Sequence, residues 1–312
     1  MMNFDFSEEQ TMFRDSVYGF AERHLADGAL LRAYQDGFPH DVAELMAEQG
    51  LLGITISEDA GGIGGTLMDA VIAIETVAGI CPRSADVIQA GNFGAIRTFG
   101  EYADDKQKKR FLQPLLKGKK VITVSMSEPE AGSAVTDLVT SATPDGDGFR
   151  INGTKVFGSH SPEADLFLVY VRFSPGVGGI GSVILERGME GFTQGQPVRY
   201  LGGEEWAQLY FHDVYIGPEN VILGEGGFKK QIAGFNVERI GNSTRSLALG
   251  QLAFNIARDH ALERKQFGRP LCEFQGLQWK FAEMKVQLDA ARLLLYRAAI
   301  NADNGLPSVE ET

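Results

Sequence analysis

The chain has 312 residues, 44% of them hydrophobic and 22% charged, with a formal net charge of -12. That length and apolar content suit a globular protein of two or three domains, and the acidic balance excludes the clustered Lys and Arg on which nucleic-acid binding depends. No apolar run approaches bilayer length, and the five histidines have no metal-ligand spacing.

The start Met1-Met2-Asn3-Phe4-Asp5 lacks the basic and apolar parts of a secretion leader, and Cys81 and Cys272 read as free thiols, so a cytoplasmic protein with no membrane segment is expected. Ser7-Glu8-Glu9-Gln10 has capping-box spacing, and Phe13, Val17 and Phe20 recur at helical intervals behind it, which predicts a helix to about Leu25. Pro39 opens a second helix that Gly50 ends, and a third is predicted from Thr66 to Val77. The intervening Gly61-Gly62-Ile63-Gly64-Gly65 is read as a tight bend. Counted from Gly62, a dinucleotide fingerprint needs a small residue where Leu67 stands. Further helical patterns cover Ala85 to Phe99 and Asp104 to Leu116.

From Val121 the period becomes alternating. Val121-Ile122-Thr123-Val124-Ser125-Met126 predicts a strand, and Asp145-Gly146-Asp147-Gly148 and Asn152-Gly153 predict turns flanking a strand at Phe149-Arg150-Ile151, with another at Lys155-Val156-Phe157. Strands are also expected at Leu166 to Arg172, Ser182 to Leu185 and Gln208 to Phe211. Long helices return at Phe228 to Leu262 and Phe274 to Ala302, joined by Gly268-Arg269-Pro270. The expected fold class is α+β, divided as an N-terminal helical domain (1-118), a small β-barrel domain (119-226) and a C-terminal helical domain (227-312).

After the first strand comes Ser127-Glu128-Pro129-Glu130-Ala131-Gly132-Ser133, a loop of hydroxyls with one donor removed by proline and close approach permitted by glycine. By composition it reads as an ordinary connection. The run SEPEAGS, then Ile151-Asn152-Gly153-Thr154-Lys155, then Glu263-Arg264-Lys265-Gln266-Phe267-Gly268, in that order, resembles the acyl-CoA dehydrogenase family of flavoproteins, and matching sequence runs from Phe6 to the last residue.

The resemblance implies FAD bound between barrel and bundle. The loop positions that match the family's flavin contacts are Val124, Ser125, Met126, Ser127, Gly132 and Ser133, with Ser133 also near the pantetheine arm of the substrate. A second contact segment is Phe157-Gly158-Ser159. The resemblance also implies that Arg264, Phe267, Phe274 and Gln275 reach the FAD of a neighbouring subunit, hence a homo-oligomer, a dimer or a tetramer. Two positions depart from the family: Ala134 replaces the usual Asp, and Gly158 replaces an aliphatic residue.

Abstraction of a weakly acidic α-proton calls for a carboxylate in a dry pocket, since desolvation raises its basicity. The resemblance implies two places for that Glu: many family members have it near the C-terminus, beyond the position of Thr312, and a minority have it at the position of Glu238. Glu238 is therefore the candidate base, with Asn236 and Arg239 as candidate substrate contacts. A Glu-Arg pair on a helix also reads as a surface ion pair. The chain stops in mid-pattern relative to the family, which suggests a shortened form with an uncovered apolar helix face. The implied activity is oxidation of an acyl-CoA, or an acyl-carrier-protein thioester, to the trans-2-enoyl form, with electrons passed to an electron-transfer flavoprotein. An oxygen-using flavoenzyme on the same fold and a non-catalytic subunit are the alternatives.

Overall fold

The structure is a computed structural model that describes residues 5–302 and 306–312. The reading of the first four residues as leader-free lies outside those described. In chain order the first helices are α1 (Glu8–His24), α2 (Ala29–Tyr34), α3 (His40–Glu48), α4 (Leu67–Ala78), α5 (Pro82–Ala90) and α6 (Ala95–Tyr102). Helices α7 (Asp105–Gln107) and α8 (Gln113–Leu116) are joined through a π-helical turn at Lys108–Leu112. The strands are β1 (Ile122–Ser125), β2 (Ser141–Asp145), β3 (Gly148–Lys155), β4 (Leu166–Arg172), β5 (Ile180–Glu186), β6 (Phe192–Gln194), β7 (Val198–Arg199), β8 (Glu205–Trp206), β9 (Leu209–Ile216) and β10 (Val221–Leu223). Two long helices follow, α9 (Phe228–Glu263) and α10 (Gln275–Ile300), with β11 (Lys265–Gln266) and β12 (Arg269–Pro270) between them.

The local signals act as expected at several ends. Ser7 accepts from the Gln10 N–H at 3.1 Å while the Gln10 side chain accepts from the Ser7 N–H at 3.0 Å, so two of the orphan donors at the start of α1 are satisfied. Thr66 and Asp69 make the same reciprocal cap on α4. Helix α4 is buried nearly all round, from Leu67 and Met68 to Val77 and Ala78, because α1, α5, α9 and α10 all pack against it. The N-terminal and C-terminal helices thus share one core, in which Val237, Ile240 and Leu247 of α9 join Val71 and Ile74 of α4.

The main sheet runs β10-β5-β4-β2-β3-β9-β6, with β1 parallel to β4 off that path. Strand β4 is buried on both faces. Leu166 and Leu168 meet Phe99, Phe111 and Leu112 from the helices, while Phe167, Val169 and Val171 fill the inside of the curled sheet with Val183, Leu185 and Phe211. Burial of each such Leu or Phe contributes about 1.5–3 kcal/mol. Both of these cores position β1, and β1 delivers the Ser127 loop.

Three expectations need correction. The helical pattern over Ala85 to Phe99 is two helices, because the chain turns at Gly91 to Gly94 and Gly94 has φ +59°. Asn152-Gly153 is a bulge inside one continuous β3: the pairing with β9 slips between Ile151 and Gly153, and the Asn152 side chain bonds Asp213. Gly153 has φ +148° and lies so close to Thr140 that a Cβ would come within 2.4 Å of its hydroxyl. Phe157 is no strand residue, since its φ of +61° takes the chain out of β3's direction. The Gly268-Arg269-Pro270 connection joins α9 to α10 as expected, and it is built as a miniature hairpin of β11 and β12, turned by Phe267 and Gly268 at φ +51° and +77°.

Helix α9 crosses α5 at Gly241. A Cβ there would lie 2.6 Å from the Phe93 ring and 3.1 Å from the Gln89 side chain. Gly241→Ala is therefore expected to destabilise the fold by about 1–3 kcal/mol through overpacking, despite alanine's better helix propensity. Urea unfolding monitored by circular dichroism measures it.

Candidate active site

Five residues of α9, Gln231, Phe235, Glu238, Asn242 and Arg245, recur at intervals of four, three, four and three, so they lie on one face of the helix. That face lines a cavity of about 320 Å³. The opposite wall is Thr123, Val124, Met126 and Ser127 at the end of β1 together with Phe157, Ser159 and His160, and α5 closes a third side with Asp86, Gln89 and Ala90.

The loop is held from beneath. Glu128 is buried, and its carboxylate accepts from the N–H groups of Val139 and Thr140 at 2.7 and 2.9 Å and from Lys155 Nζ at 2.8 Å. Lys155 also donates to the Met126 carbonyl, and the Val156 N–H donates to the Ser127 carbonyl. Burial pushes the Glu128 carboxyl up, but Lys155, Thr140 and Val139 outweigh it and hold it below the usual carboxylate range. Burial brings Lys155 down to about 8, against the pull of Glu128. The loop thus hangs on an ion pair that joins the SEPEAGS run to the lysine of INGTK. Neither residue stood out as a site residue in the sequence, although both lie in the segments that carried the resemblance.

The second wall segment is shaped by its backbone. Phe157 and His160 both have φ +61°, and the Phe157 ring packs on Trp206 with centroids 4.6 Å apart. At Gly158 a Cβ would meet the Thr123 hydroxyl at 3.0 Å and the Ser125 hydroxyl at 3.6 Å. These two buried hydroxyls have no hydrogen-bond partner among the described residues.

Glu238 faces this wall. Its Oε1 accepts from Gln89 Nε2 at 2.7 Å. Burial pushes its carboxyl above the usual carboxylate range; Gln89 opposes that shift, the charge of Asp86 adds to it, and the charge of Arg245 opposes it. Farther along the same face Arg245 donates to Asp86 at 2.6 Å and to Glu204 at 3.0 Å, and His160 Nε2 lies 2.9 Å from the other Asp86 oxygen. Asp86 stays below the usual carboxylate range: burial pushes it up, and the His160 hydrogen bond with the charges of Arg245, His160 and Arg83 outweighs that. Asp86, His160 and Glu204 offer ligand atoms within 4.8 Å of one another. Both carboxylates already pair with Arg83 and Arg245, however, so the group is a five-membered ionic cluster with its countercharge built in. It joins α5, the β region and α9. Residue spacing could not reveal it, because its members come from distant segments.

Of the residues singled out in the sequence, the cavity brings together Val124, Met126, Ser127, Phe157, Ser159 and Glu238. Ser125 and Gly158 lie just behind the wall. Gly132 and Ser133 are exposed on the loop beyond it. Asn236 is buried off the cavity and accepts from Arg239, which is itself exposed. Arg264, Phe267, Phe274 and Gln275 sit at and beyond the far end of α9, roughly 37 Å from Glu238 along the helix axis. There Phe267 is 95% exposed, and Arg269 lies over the Phe274 ring at 4.2 Å.

Three family models match in sequence: the acyl-CoA dehydrogenase N-terminal domain over residues 7–119, the middle domain over 123–214 and the C-terminal domain over 225–312. A short-chain-specific acyl-CoA dehydrogenase from Clostridium acetobutylicum is 34% identical over 311 residues, 98% of this chain and 82% of that protein. Among solved structures, butyryl-CoA dehydrogenase from Megasphaera elsdenii superposes with a TM-score of 0.89 at 31% identity, covering 98% of this chain and 82% of that one. A chain of the structure described as the electron transferring flavoprotein of Acidaminococcus fermentans gives 0.92 at 31% identity, covering 99% and 83%. With this fold, and with similarity along nearly its whole length, the chain belongs to the acyl-CoA dehydrogenase family.

Proposed function

We propose that the protein is an FAD-dependent dehydrogenase of short-chain acyl-CoA thioesters, with Glu238 as the base and an electron-transfer flavoprotein as the electron acceptor. The observation that carries this reading is a half-buried acid of raised basicity facing a hydroxyl-rich, glycine-thinned wall across one cavity. That wall fits FAD. Ser127 and Ser159 present hydroxyls, the orphaned Thr123 and Ser125 hydroxyls add unused hydrogen-bonding capacity, and Phe157 supplies an aromatic surface. Val124, Met126, Ser127, Phe157, Gly158 and Ser159 would hold the ring system, with Ser125 behind them and Gly132 and Ser133 toward the diphosphate and pantetheine.

What FAD supplies when bound is acceptance of the electron pair and hydrogen lost from Cβ. The chain's own task is the proton. A thioester α-proton is taken by Glu238, whose burial keeps its pKa high enough to make an effective base. Ala90, Phe93 and Leu168 give that cavity an apolar lining, against which a bound acyl chain would exclude water from the acid.

Substrate length follows from the far end of the α9 face. Asn242 lies one turn beyond Glu238 and Arg245 two turns, roughly 10 Å away along the axis. An acyl tail much longer than butanoyl would press methylenes against the Arg245–Asp86 pair, at about 0.8 kcal/mol of lost burial per methylene. The short-chain and butyryl specificities of the relatives agree. Turnover coupled to an electron-transfer flavoprotein is expected to be highest with butanoyl-CoA and to fall by an order of magnitude or more with octanoyl-CoA. Equal rates across chain lengths, or brisk oxygen uptake without the acceptor, would overturn the reading.

Division near residues 118 and 226 separates the helical and β parts. A homo-oligomer brings Arg264, Phe267, Phe274 and Gln275 to a neighbouring subunit's FAD, supported by the exposed Phe267, Trp279 and Val286 on that part of the chain. A cytoplasmic setting is supported by the free thiols Cys81 and Cys272. No helix among the described residues is long and apolar enough to cross a membrane.

A further inference from the structure

We infer that Gln89 is the positioning residue of the base, locked by Arg245 in the one amide orientation that keeps Glu238 ready to take a proton. This rests on the reading of Glu238 as the base. Gln89 projects from α5 onto the cavity face of α9, where it meets three residues. Its amide nitrogen donates to Glu238 Oε1 at 2.7 Å and to Asn242 Oδ1 at 2.9 Å, and its amide oxygen faces Arg245 Nη1 at 3.4 Å.

A primary amide has two orientations of nearly equal shape and opposite polarity. Rotation of Gln89 by half a turn would set its oxygen against a carboxylate oxygen and an amide oxygen, and its NH₂ group against a guanidinium. The contacts with Glu238 and Arg245, whose polarity is fixed, would both turn repulsive. Arg245 cannot move aside, because Asp86 and Glu204 hold it on two sides, and Asp86 is held in turn by His160 and Arg83. The ionic cluster therefore fixes an uncharged donor against the base.

Two consequences follow for proton transfer. A donor to one oxygen favours the carboxylate over the acid, so Gln89 opposes the burial and the Asp86 charge that favour protonation. It also tethers Oε1 and leaves Oε2 as the oxygen that receives the proton. Oε2 lies beside Gly94, where a Cβ would come within 3.2 Å of it, so the missing side chain leaves that oxygen uncovered. The charged groups facing Glu238 are Asp86 on α5 and Arg245 on α9, with Glu204, His160 and Arg83 behind them. Arg239, its neighbour in sequence, is exposed and bonded to Asn236. Tyr170 on β4 stays neutral, its hydroxyl pushed up by burial.

The test uses the FAD-loaded full chain with Gln89→Met, which removes the donor at similar volume, and Gln89→Glu, which replaces it with a like charge. The rate of anaerobic flavin bleaching by butanoyl-CoA is followed against pH. In parallel, the carboxyl band of Glu238, assigned by its loss in Glu238→Gln, is titrated by infrared difference spectroscopy. For Gln89→Met the acid limb and the infrared titration should both move up by about one pH unit, the size of one hydrogen bond to a charged group. Below the limb the rate then falls about tenfold, while the alkaline plateau is kept. Gln89→Glu should move both further. A uniform loss of rate with the limb and the band unmoved would mean that Gln89 only fills space, and would overturn the inference. Failure of the base assignment looks different: Glu238→Gln would bleach at the wild-type rate, while the infrared titration still reported whether Gln89 tunes Glu238.

Discussion

Glu238→Gln is expected to lower the rate of substrate-dependent flavin bleaching by about 10²–10⁴-fold, the range of a positioned general base, while the protein stays yellow and becomes more stable. The activity loss follows because an amide cannot take the α-proton. The stability gain follows from the sign of the pKa shift. Burial raises the Glu238 carboxyl above its unfolded value, so between those two values the native state binds more protons, and stability falls as pH rises through that window. Above it the native protein carries the whole cost of burying the charge. Glutamine removes that cost and can still accept from Gln89 through its amide oxygen. Stopped-flow bleaching together with thermal melts across a pH series measures both effects. A variant that loses activity and stability together would indicate a structural role for Glu238.

Lys155→Met carries the second large effect. The Lys155 and Glu128 side chains are 1% and 4% exposed, so loss of one partner strands a charge without water. Breaking a buried pair from one side costs about 3–5 kcal/mol, far more than an exposed pair is worth. The damage falls on the loop, since Glu128 gathers Val139, Thr140 and Lys155, and Lys155 also ties down the Met126 carbonyl. FAD retention on desalting should therefore drop along with stability in urea. The double variant Glu128→Gln, Lys155→Met removes both charges and should recover much of the loss. Glu128 adds an acid-side signature: its carboxyl is held below the usual range, so its stabilisation is present above its unfolded value and lost as pH falls through the folded one. A single variant within about 1 kcal/mol of wild type would refute the anchoring role of this pair.

Sequence patterns disclosed what is encoded within a few residues. The Ser7 cap, the strand before Ser127, the Asp145-to-Gly148 turn and the two long helices depend on neighbours at most four positions away, and the structure has them. The bulge at Gly153 reads as a turn in the sequence because Asn-Gly suits either. What distinguishes them is the Asn152 bond to Asp213, 61 residues on. The wall residues Ser127, Phe157 and Ser159 and the acid Glu238 were reached through family resemblance, since a strand, a loop and a helix have no local feature that announces a shared cavity. Gln89, 149 residues from Glu238, carries no signal in its own segment, and the Arg245–Asp86–His160 cluster likewise exists only after folding. The physical reason is common to all of these. Local pattern sets backbone geometry, whereas the environment of a titratable group is assembled from elements that meet in space.

In the proposed mechanism this cavity oxidises a short acyl-CoA by proton abstraction at Glu238. Its most direct test is an anaerobic titration of the FAD-loaded protein with butanoyl-CoA, with the product analysed by mass spectrometry. The flavin colour is expected to bleach with one trans-2-butenoyl-CoA formed per FAD reduced, and both changes are expected to be about 10²–10⁴-fold slower in Glu238→Gln. Persistent colour in the wild-type protein, or equal bleaching in the variant, would contradict this mechanism.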